Sequence, residues 1–223
     1  MKIEMNKNDL NKLIRGLPAE PGILRKDEFF NSAVIIPLIL KDNEYHLLFE
    51  KRAANIRQGG EICFPGGEFD PEHDKNFTET AVRETVEELG IKKNKIKVLG
   101  MLDTLIGPMG VTVDSCLATL DIKDLSELHI DTTEVEKVFL VPVSYFQKNH
   151  PEIYHVQLVV HPHYTDEKGN IVHLLPSKEL ELPEKYKQPW RAGKRRIFVY
   201  RLSEGVLWGL TAALVRELAN RLK

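Results

Sequence analysis

The chain has few cysteines, with only Cys63 and Cys116 among 223 residues. Each lies beside apolar residues, which predicts buried thiols in a reducing compartment and not a disulfide framework or a metal knuckle. No apolar run approaches the roughly 20 residues that span a bilayer. The first nine residues are polar and charged, unlike a secretory signal. These absences favour a cytoplasmic protein without a membrane-spanning segment.

An excess of one charge is also lacking. Thirty-one basic and 33 acidic side chains give a net charge of -2 and a pI near 6.5, which disfavours nucleic-acid binding through bulk charge. Hydrophobic residues make up 42% of the chain, enough to build a folded core. At about 150 residues per domain, the length predicts one domain with additions.

Hydrophobic periodicity predicts the main elements. A helix over Lys7–Leu17 within residues 1–30 predicts an N-terminal helical appendage, and residues 31–223 are expected to form the main domain. Further helices are predicted from about Thr78 to Leu89 and from Ser203 to Leu222. Strands are predicted at Ala33–Leu40, Tyr45–Lys51, Lys97–Leu105, Thr112–Leu120, Val135–Val141, Ile153–Val160 and Arg196–Arg201, with a polar loop over Thr165–Gln188.

The chemistry is concentrated on the predicted helix that ends at Leu89. At about 100° per residue, Glu84, Glu87 and Glu88 lie within roughly 100° of one helix face. Arg83 precedes Glu87 by one turn and can form an ion pair with it. Clustered carboxylates repel one another, but a hard cation such as Mg²⁺ prefers oxygen ligands in this kind of arrangement.

A glycine pair, Gly66 and Gly67, comes shortly before this helix. Without side chains, the backbone there can turn sharply and lie against the acidic helix or a ligand. Together the two features predict metal-assisted attack of water on a phosphoanhydride. The alternative for the helix alone is a solvated acidic face, which the conjunction of the motifs disfavours.

At these residues the chain resembles the Nudix hydrolase family. Gly67 begins the family's box, and the run Arg83-Glu-Thr-Val-Glu-Glu-Leu-Gly90 completes it. The segment from Gly67 to Arg83 is two residues longer than in the standard box, and Lys75 occupies the position of the family's first glutamate. Three nearby acids are candidates to replace that glutamate: Glu72, Asp74 and Glu79.

In these departures from the standard box, the chain resembles the coenzyme A pyrophosphatase subfamily. That subfamily has a longer loop with Asp-Pro after the glycine pair, and Asp70-Pro71 occupies this position here. Arg52, Arg57 and the run Phe64-Pro-Gly-Gly67 are similar to the subfamily's upstream motif, and Trp208-Gly-Leu-Thr-Ala212 to its C-terminal motif.

The resemblance implies an α/β (α+β) Nudix fold, a mixed β-sheet between helices with N- and C-terminal additions. It implies a Mg²⁺- or Mn²⁺-dependent enzyme that cleaves coenzyme A or acyl-coenzyme A to 4'-phosphopantetheine and 3',5'-ADP. Glu84, Glu87 and Glu88 match the metal-binding positions. Arg83 matches the bracing arginine beside the catalytic candidates Glu84 and Glu87.

Other roles remain open at this stage. Arg52 and Arg57 are candidates to bind the diphosphate together with the Gly66–Gly67 backbone, or they pair with local acids. Glu134 or Glu136 is an alternative to Glu84 as the base that activates water. The expected partner is a small-molecule nucleotide, with no nucleic acid and no membrane, and a homodimer stays open. Alternative functions are hydrolysis of ADP-ribose or a dinucleotide, or nucleotide sensing without cleavage.

Overall fold

The computed structural model describes residues 5–108 and 110–222 of the chain. Within these ranges the helices are α1 (Lys7–Arg15), α2 (Phe77–Leu89), α3 (Val143–Lys148) and α4 (Gly209–Arg221). The strands there are β1 (Phe30–Lys41), β2 (Glu44–Arg52), β3 (Ile62–Cys63), β4 (Gly66–Glu68), β5 (Ile96–Met101), β6 (Leu105–Gly107), β7 (Val111–Leu120), β8 (Val135–Pro142), β9 (Glu152–Val160), β10 (His163–Thr165), β11 (Ile171–His173), β12 (Trp190–Leu202) and β13 (Gly205–Trp208).

The main sheet is mixed. Its path runs β3-β2-β1-β7-β5, with β4 paired to β1, β8 to β2 and β6 to β7. Strands β1 and β7 are parallel, whereas β1 and β2 form an antiparallel hairpin. Asp42 and Asn43 make the hairpin turn with positive φ angles of 49° and 64°, which matches the twist of the two strands. The strands predicted at Ala33–Leu40 and Tyr45–Lys51 thus pair as a hairpin, and the mixed sheet that the resemblance implies is confirmed.

Strand β1 packs against helices on both faces because its side chains alternate. Ile35 lies in a buried cluster with Ala81 and Val82 of α2. Its neighbour Ile36 lies in a second cluster with residues of α4, among them Val215. The sheet is thus sandwiched between α2 and α4, and the predicted fold class is confirmed.

Pro37 lies in the middle of β1, where a missing N–H would normally break a ladder. On one side of β1, Ser32 to Val34 pair with β4, and Leu38 to Lys41 pair with β2. Pro37 sits between these two pairings, at the position where β1 changes partner. The proline is tolerated because the ladder is interrupted on that side, while on the other side Pro37 lies opposite Ala118 of β7.

A second sheet, in the order β13-β12-β9, corrects the prediction for the C-terminus. The last helix begins at Gly209 and not at Ser203, because Gly205–Trp208 forms a strand that pairs with β12. Leu207 is buried from this strand, and the helix ends at Arg221, one residue before the predicted Leu222. β-branched and aromatic side chains after a turn favour the strand.

Three further boundaries differ from the sequence prediction. Lys97–Leu105 is not one strand, since β5 ends at Met101 and β6 begins at Leu105. The expected loop over Thr165–Gln188 contains the short hairpin strand β11. The predicted strand Arg196–Arg201 is part of the longer β12, which begins at Trp190 and ends at Leu202.

Helix α1 has a capping box at Asn6 and no buried side chain. It ends at Arg15, two residues before the predicted Leu17. The first four residues of the expected appendage lie outside the described residues, and the division at residue 30 stays a prediction. Among the helices of the described ranges, none combines the length and apolar character needed to cross a membrane.

Candidate active site

Helix α2 is fixed at both ends by local contacts. At its start the Asn76 side chain accepts the Glu79 N–H at 3.0 Å, which satisfies a backbone donor of the first turn. At its end Gly90 adopts a left-handed φ of 60°. A Cβ on Gly90 would lie 2.2 Å from the His129 carbonyl oxygen, so the helix stops against that chain. These contacts hold the acidic residues in register.

The three box carboxylates have very different environments. The side chain of Glu87 is 58% exposed and that of Glu84 is 17% exposed, whereas Glu88 is only 3% exposed. The alternative of a solvated acidic face is therefore wrong for Glu88. Its Oε2 accepts the Gly66 N–H at 2.8 Å, because β4 covers this side of α2. Val86, expected on the buried face, is only half-buried.

The glycine pair brings the backbone of β4 against both β1 and α2. Gly66 has a φ of 152°, and a Cβ there would lie 2.2 Å from the Ala33 carbonyl oxygen. A Cβ on Gly67 would lie 2.3 Å from the carboxyl carbon of Glu84. The predicted close approach of this backbone to the acidic helix is confirmed.

Arg83 forms the centre of an ion-pair network. Its Nη1 donates to Glu84 Oε1 at 2.7 Å and to Glu87 Oε2 at 3.1 Å. Its Nε and Nη2 donate to the two oxygens of Asp74 at 3.0 and 2.9 Å. A two-point contact of this kind fixes the plane of the guanidinium. The predicted pairing of Arg83 with Glu87 is present in the structure.

Of the three acids considered as replacements for the family's first glutamate, Asp74 is the one that forms hydrogen bonds with Arg83. It is buried, and the hydrogen bond from Arg83 lowers its pKa to about 2. Of the other candidates, Glu72 is exposed, and Glu79 accepts the Lys75 N–H at 3.0 Å at the start of α2. Asp74 contacts the arginine, so it braces the site and is not free to act as a ligand.

A further carboxylate, Glu50 on β2, was missed by the sequence analysis. It is fully buried, and its Oε1 accepts the Cys63 S–H at 3.1 Å. Arg52 Nη1 lies 3.9 Å from the same oxygen. Burial raises the pKa of Glu50, Glu84 and Glu88. Neighbouring carboxylates raise these pKa values further, and Glu50 is the carboxylate that most opposes ionisation of Glu88.

The structure separates the two candidate loop bases. The charge of Glu134 acts on both Glu50 and Glu84, so its carboxylate lies near the cluster. Glu136 instead forms an exposed ion pair with Lys51 at 2.8 Å. Of these two acids, Glu134 is thus the one placed to interact with the carboxylate cluster.

The two upstream arginines are also separated. Arg52 lies beside the carboxylates and donates from Nε to the Arg57 carbonyl oxygen at 3.2 Å. The guanidinium of Arg57 lies 5.3 Å from the centre of the Phe30 ring, a cation–π contact. Arg52 is therefore the one of the pair that the structure brings to the site.

The residues present fit a hard divalent cation. Helix α2 supplies carboxylate oxygens from Glu84 and Glu88. The buried Glu50 Oε2 has no hydrogen-bond partner in the described part of the chain. Such a buried oxygen is costly unless something compensates it. Within residues 5–108 and 110–222, no three His, Cys, Asp or Glu side chains are already gathered closely enough to hold a metal ion. The side chains that would hold such a cation are Glu84, Glu87 and Glu88.

This arrangement defines a class of enzyme. A mixed sheet lies between helices, and clustered carboxylates contact a glycine backbone and an arginine. These features are typical of a hydrolase that cleaves phosphoanhydrides. The profile of the NUDIX domain matches residues 30–159, more than half of the chain. The chain belongs to the Nudix family of hydrolases, which generally use divalent metal ions and act on small-molecule nucleotides.

Named relatives are similar to the chain over different lengths. It is 30% identical over 215 residues to the Nudix hydrolase NudL of Photorhabdus laumondii, covering 96% of both chains. It is 34% identical over 124 residues to the peroxisomal coenzyme A diphosphatase NUDT7 of Mus musculus, covering 55% of this chain and 50% of that one. It is 37% identical over 110 residues to the mitochondrial coenzyme A diphosphatase NUDT8 of Mus musculus, covering 48% and 52%. The chain spans about half the length of the two mouse relatives. The predicted resemblance to Nudix coenzyme A pyrophosphatases is confirmed.

Proposed function

We propose that this enzyme hydrolyses the diphosphate bond of coenzyme A or its acyl derivatives with Mg²⁺ or Mn²⁺, giving 4'-phosphopantetheine and 3',5'-ADP. The observation that carries the chemistry is the approach of Glu84 and Glu88 to the Gly66–Gly67 backbone. The choice of substrate is supported by the similarity to two coenzyme A diphosphatases.

Glu84, Glu87 and Glu88 would hold the cation. A bound divalent ion offsets the charge that develops on the phosphate oxygens and lowers the pKa of water. Arg83 orients Glu84 and Glu87 before substrate arrives, because its own plane is fixed by Asp74. Arg52 carries a guanidinium whose geometry suits diphosphate oxygens.

A proton must also leave the attacking water. Glu84 and Glu134 are the carboxylates that this site offers as the base. Burial raises the pKa of Glu84 in the chain without a cation, and a general base is most effective when its pKa lies near the working pH. A cytoplasmic location, a homodimer and the division at residue 30 remain part of this proposal as expectations.

The test is a substrate panel with Mg²⁺ or Mn²⁺: coenzyme A, an acyl-coenzyme A, ADP-ribose and diadenosine polyphosphates. We expect selective release of 3',5'-ADP from the two coenzyme A compounds. Faster cleavage of ADP-ribose or a dinucleotide would replace the substrate and keep the chemistry. Tight binding without any turnover would instead support a nucleotide sensor.

Glu87→Gln supplies the variant for the panel, and Glu217→Gln is its matched control. Each glutamate forms an i,i+4 ion pair with an arginine at 3.1 Å on a helix surface, Glu87 with Arg83 and Glu217 with Arg221. We expect Glu87→Gln to lower kcat by about 10²-fold or more, the size typical of losing one group that stabilises developing charge. Glu217→Gln should leave kcat unchanged, since it lies on α4.

A further inference from the structure

Strand β2 directs Glu50 towards the acidic helix. Leu48 belongs to the buried cluster that contains Leu89 of α2. Phe49 points the other way and stacks on Phe64 at a ring distance of 4.8 Å. Because side chains alternate along a strand, Glu50 points to the same side as Leu48. The fold thus places an extra carboxylate beneath α2, outside the family box.

Only one of the two carboxylate oxygens of Glu50 has a hydrogen-bond partner among the described residues. Its side chain is 0% exposed, and one oxygen accepts a hydrogen bond from Cys63. The other oxygen has no hydrogen-bond partner among the described residues. The charged groups near enough to act on it are one arginine, Arg52, and the carboxylates of Glu84, Glu88 and Glu134.

One arginine cannot balance this number of acids. The Arg52 Nη1 lies 3.9 Å from Glu50 Oε1, a long contact to the oxygen that already accepts the Cys63 thiol. An uncompensated buried carboxylate is strongly unfavourable, whereas a divalent cation gives a hard oxygen donor its preferred partner. The free Glu50 oxygen, buried beside two box carboxylates, therefore has no hydrogen-bond partner in the described part of the chain, and either a proton or a cation must compensate this carboxylate.

We propose that Glu50 is a ligand of the divalent cation, contributed by β2 in addition to the carboxylates of α2. The inference rests on the proposed function only in that the site is metal-dependent, and it does not depend on which nucleotide is cleaved. The competing role is a neutral, structural acid that merely accepts the Cys63 thiol. A glutamine in place of Glu50 can fill that role, but it cannot supply the anionic oxygen.

The test measures Mn²⁺ binding to the full chain without substrate, by titration calorimetry or by the electron paramagnetic resonance of free Mn²⁺. We expect Glu50→Gln to weaken Mn²⁺ binding by at least about tenfold, in line with losing an anionic ligand. Glu72→Gln, an exposed acid on the loop before α2, is the matched control and should bind as the wild type does. Cys63→Ser keeps a donor to Glu50 and should also retain Mn²⁺ binding.

The melting temperature gives a second readout, because a ligand that binds only the folded state stabilises it. Mn²⁺ should raise the Tm of the wild type and of Glu72→Gln more than that of Glu50→Gln. Equal Mn²⁺ affinity and an equal Tm increase in Glu50→Gln would overturn the proposal, as would a wild type that binds no Mn²⁺.

If Glu50→Gln does not fold, Glu50→Asp answers the same question, since it keeps the charge and shortens its reach. Weaker Mn²⁺ binding by Glu50→Asp is expected, and unchanged binding would overturn the proposal. Failure of the substrate assignment is distinguishable: Mn²⁺ would bind in a Glu50-dependent manner, but coenzyme A would not be cleaved.

Discussion

Gly67 and Glu84 are in direct contact across the gap between β4 and α2. A Cβ on Gly67 would lie 2.3 Å from the carboxyl carbon of Glu84 and 2.5 and 2.6 Å from its oxygens. Only a glycine permits the Glu84 carboxylate to stay where Arg83 holds it. The glycine of the box is therefore a spatial requirement of this carboxylate.

Gly67→Ala should displace the Glu84 carboxylate and lower kcat by about 10²-fold, since a shift of about 1 Å at a catalytic group has this effect. The chain should still fold, because the atoms that must move are the end of one side chain. Gly100→Ala is the control, as a Cβ there meets nothing within 4 Å. Steady-state kinetics with circular dichroism would check this. Wild-type kcat in Gly67→Ala would show that Glu84 does not need this position.

Asp74→Asn should damage the site through Arg83. The free energy of unfolding should fall by about 1.5–3 kcal/mol, the range for hydrogen bonds to charged groups. We also expect kcat to fall, because Arg83 would no longer be held in one plane. Since the folded pKa of Asp74 is lowered to about 2, its contribution to stability is present above the ordinary pKa of an aspartate and is lost as the pH falls through about 2. Chemical denaturation and steady-state kinetics would measure the two effects.

Two neighbouring substitutions provide the controls for Asp74. Asp70→Asn removes an exposed acid of the same loop and should have a small effect. Lys75→Glu restores the family's glutamate at the position where the sequence lacks it, and it should leave kcat unchanged, because Lys75 is exposed and Asp74 already holds Arg83. A large gain of activity in Lys75→Glu would contradict the assignment of Asp74.

Helix α2 and the strands β1, β2, β7 and β8 could be predicted from their apolar patterns, whereas β3 and β4 are too short to show one. The family box also predicted that four functional residues lie on this one helix: Arg83, Glu84, Glu87 and Glu88. The contact between Asp74 and Arg83 could not be predicted, since the loop before α2 is two residues longer than the box and no spacing rule applies to it. Only the three-dimensional structure identifies Asp74 as the partner of Arg83.

Glu50 was missed for a different reason. It lies near the end of a strand that contributes mainly to the hydrophobic core. Its position close to Glu88 depends on the pairing of β2 with β3 and on the packing of α2, which are tertiary contacts. The start of the last helix was predicted too early because Leu207 continues the three- and four-residue spacing of Leu210 and Leu214, so it fits a helix as well as a strand. Pairing with β12, a tertiary contact, decides between the two.

The metal-free protein should lose stability as the pH rises above the ordinary pKa of a glutamate. Burial raises the pKa of Glu50 to about 7 and that of Glu88 to about 9. Both carboxyls hold their protons more tightly in the folded chain, so the free energy of unfolding should fall as the pH rises from the ordinary pKa of a glutamate towards these values. Each tenfold difference in proton affinity between the folded and the unfolded chain corresponds to about 1.4 kcal/mol.

Thermal unfolding in a chelator between about pH 5 and pH 9 would measure this dependence. Glu88→Gln should flatten it, because an amide does not titrate. Saturating Mn²⁺ should also flatten it, since the cation replaces the protons. A chelated wild type that is more stable at pH 9 than at pH 5 would contradict the direction of both pKa changes.

The two candidate loop bases give the last prediction. Glu134→Gln should lower kcat by about tenfold or more, within the range for a general base or a group that positions one, because the charge of Glu134 acts on Glu84 and Glu50. Glu136→Gln should change kcat little, since its carboxylate forms an exposed ion pair with Lys51 and such pairs contribute little. The pH dependence of kcat distinguishes the roles of Glu134: loss of the acidic limb indicates a base, whereas a lower kcat with an unchanged profile indicates positioning of Glu84. Equal effects of the two variants would mean that proximity to Glu50 and Glu84 does not decide which loop acid matters.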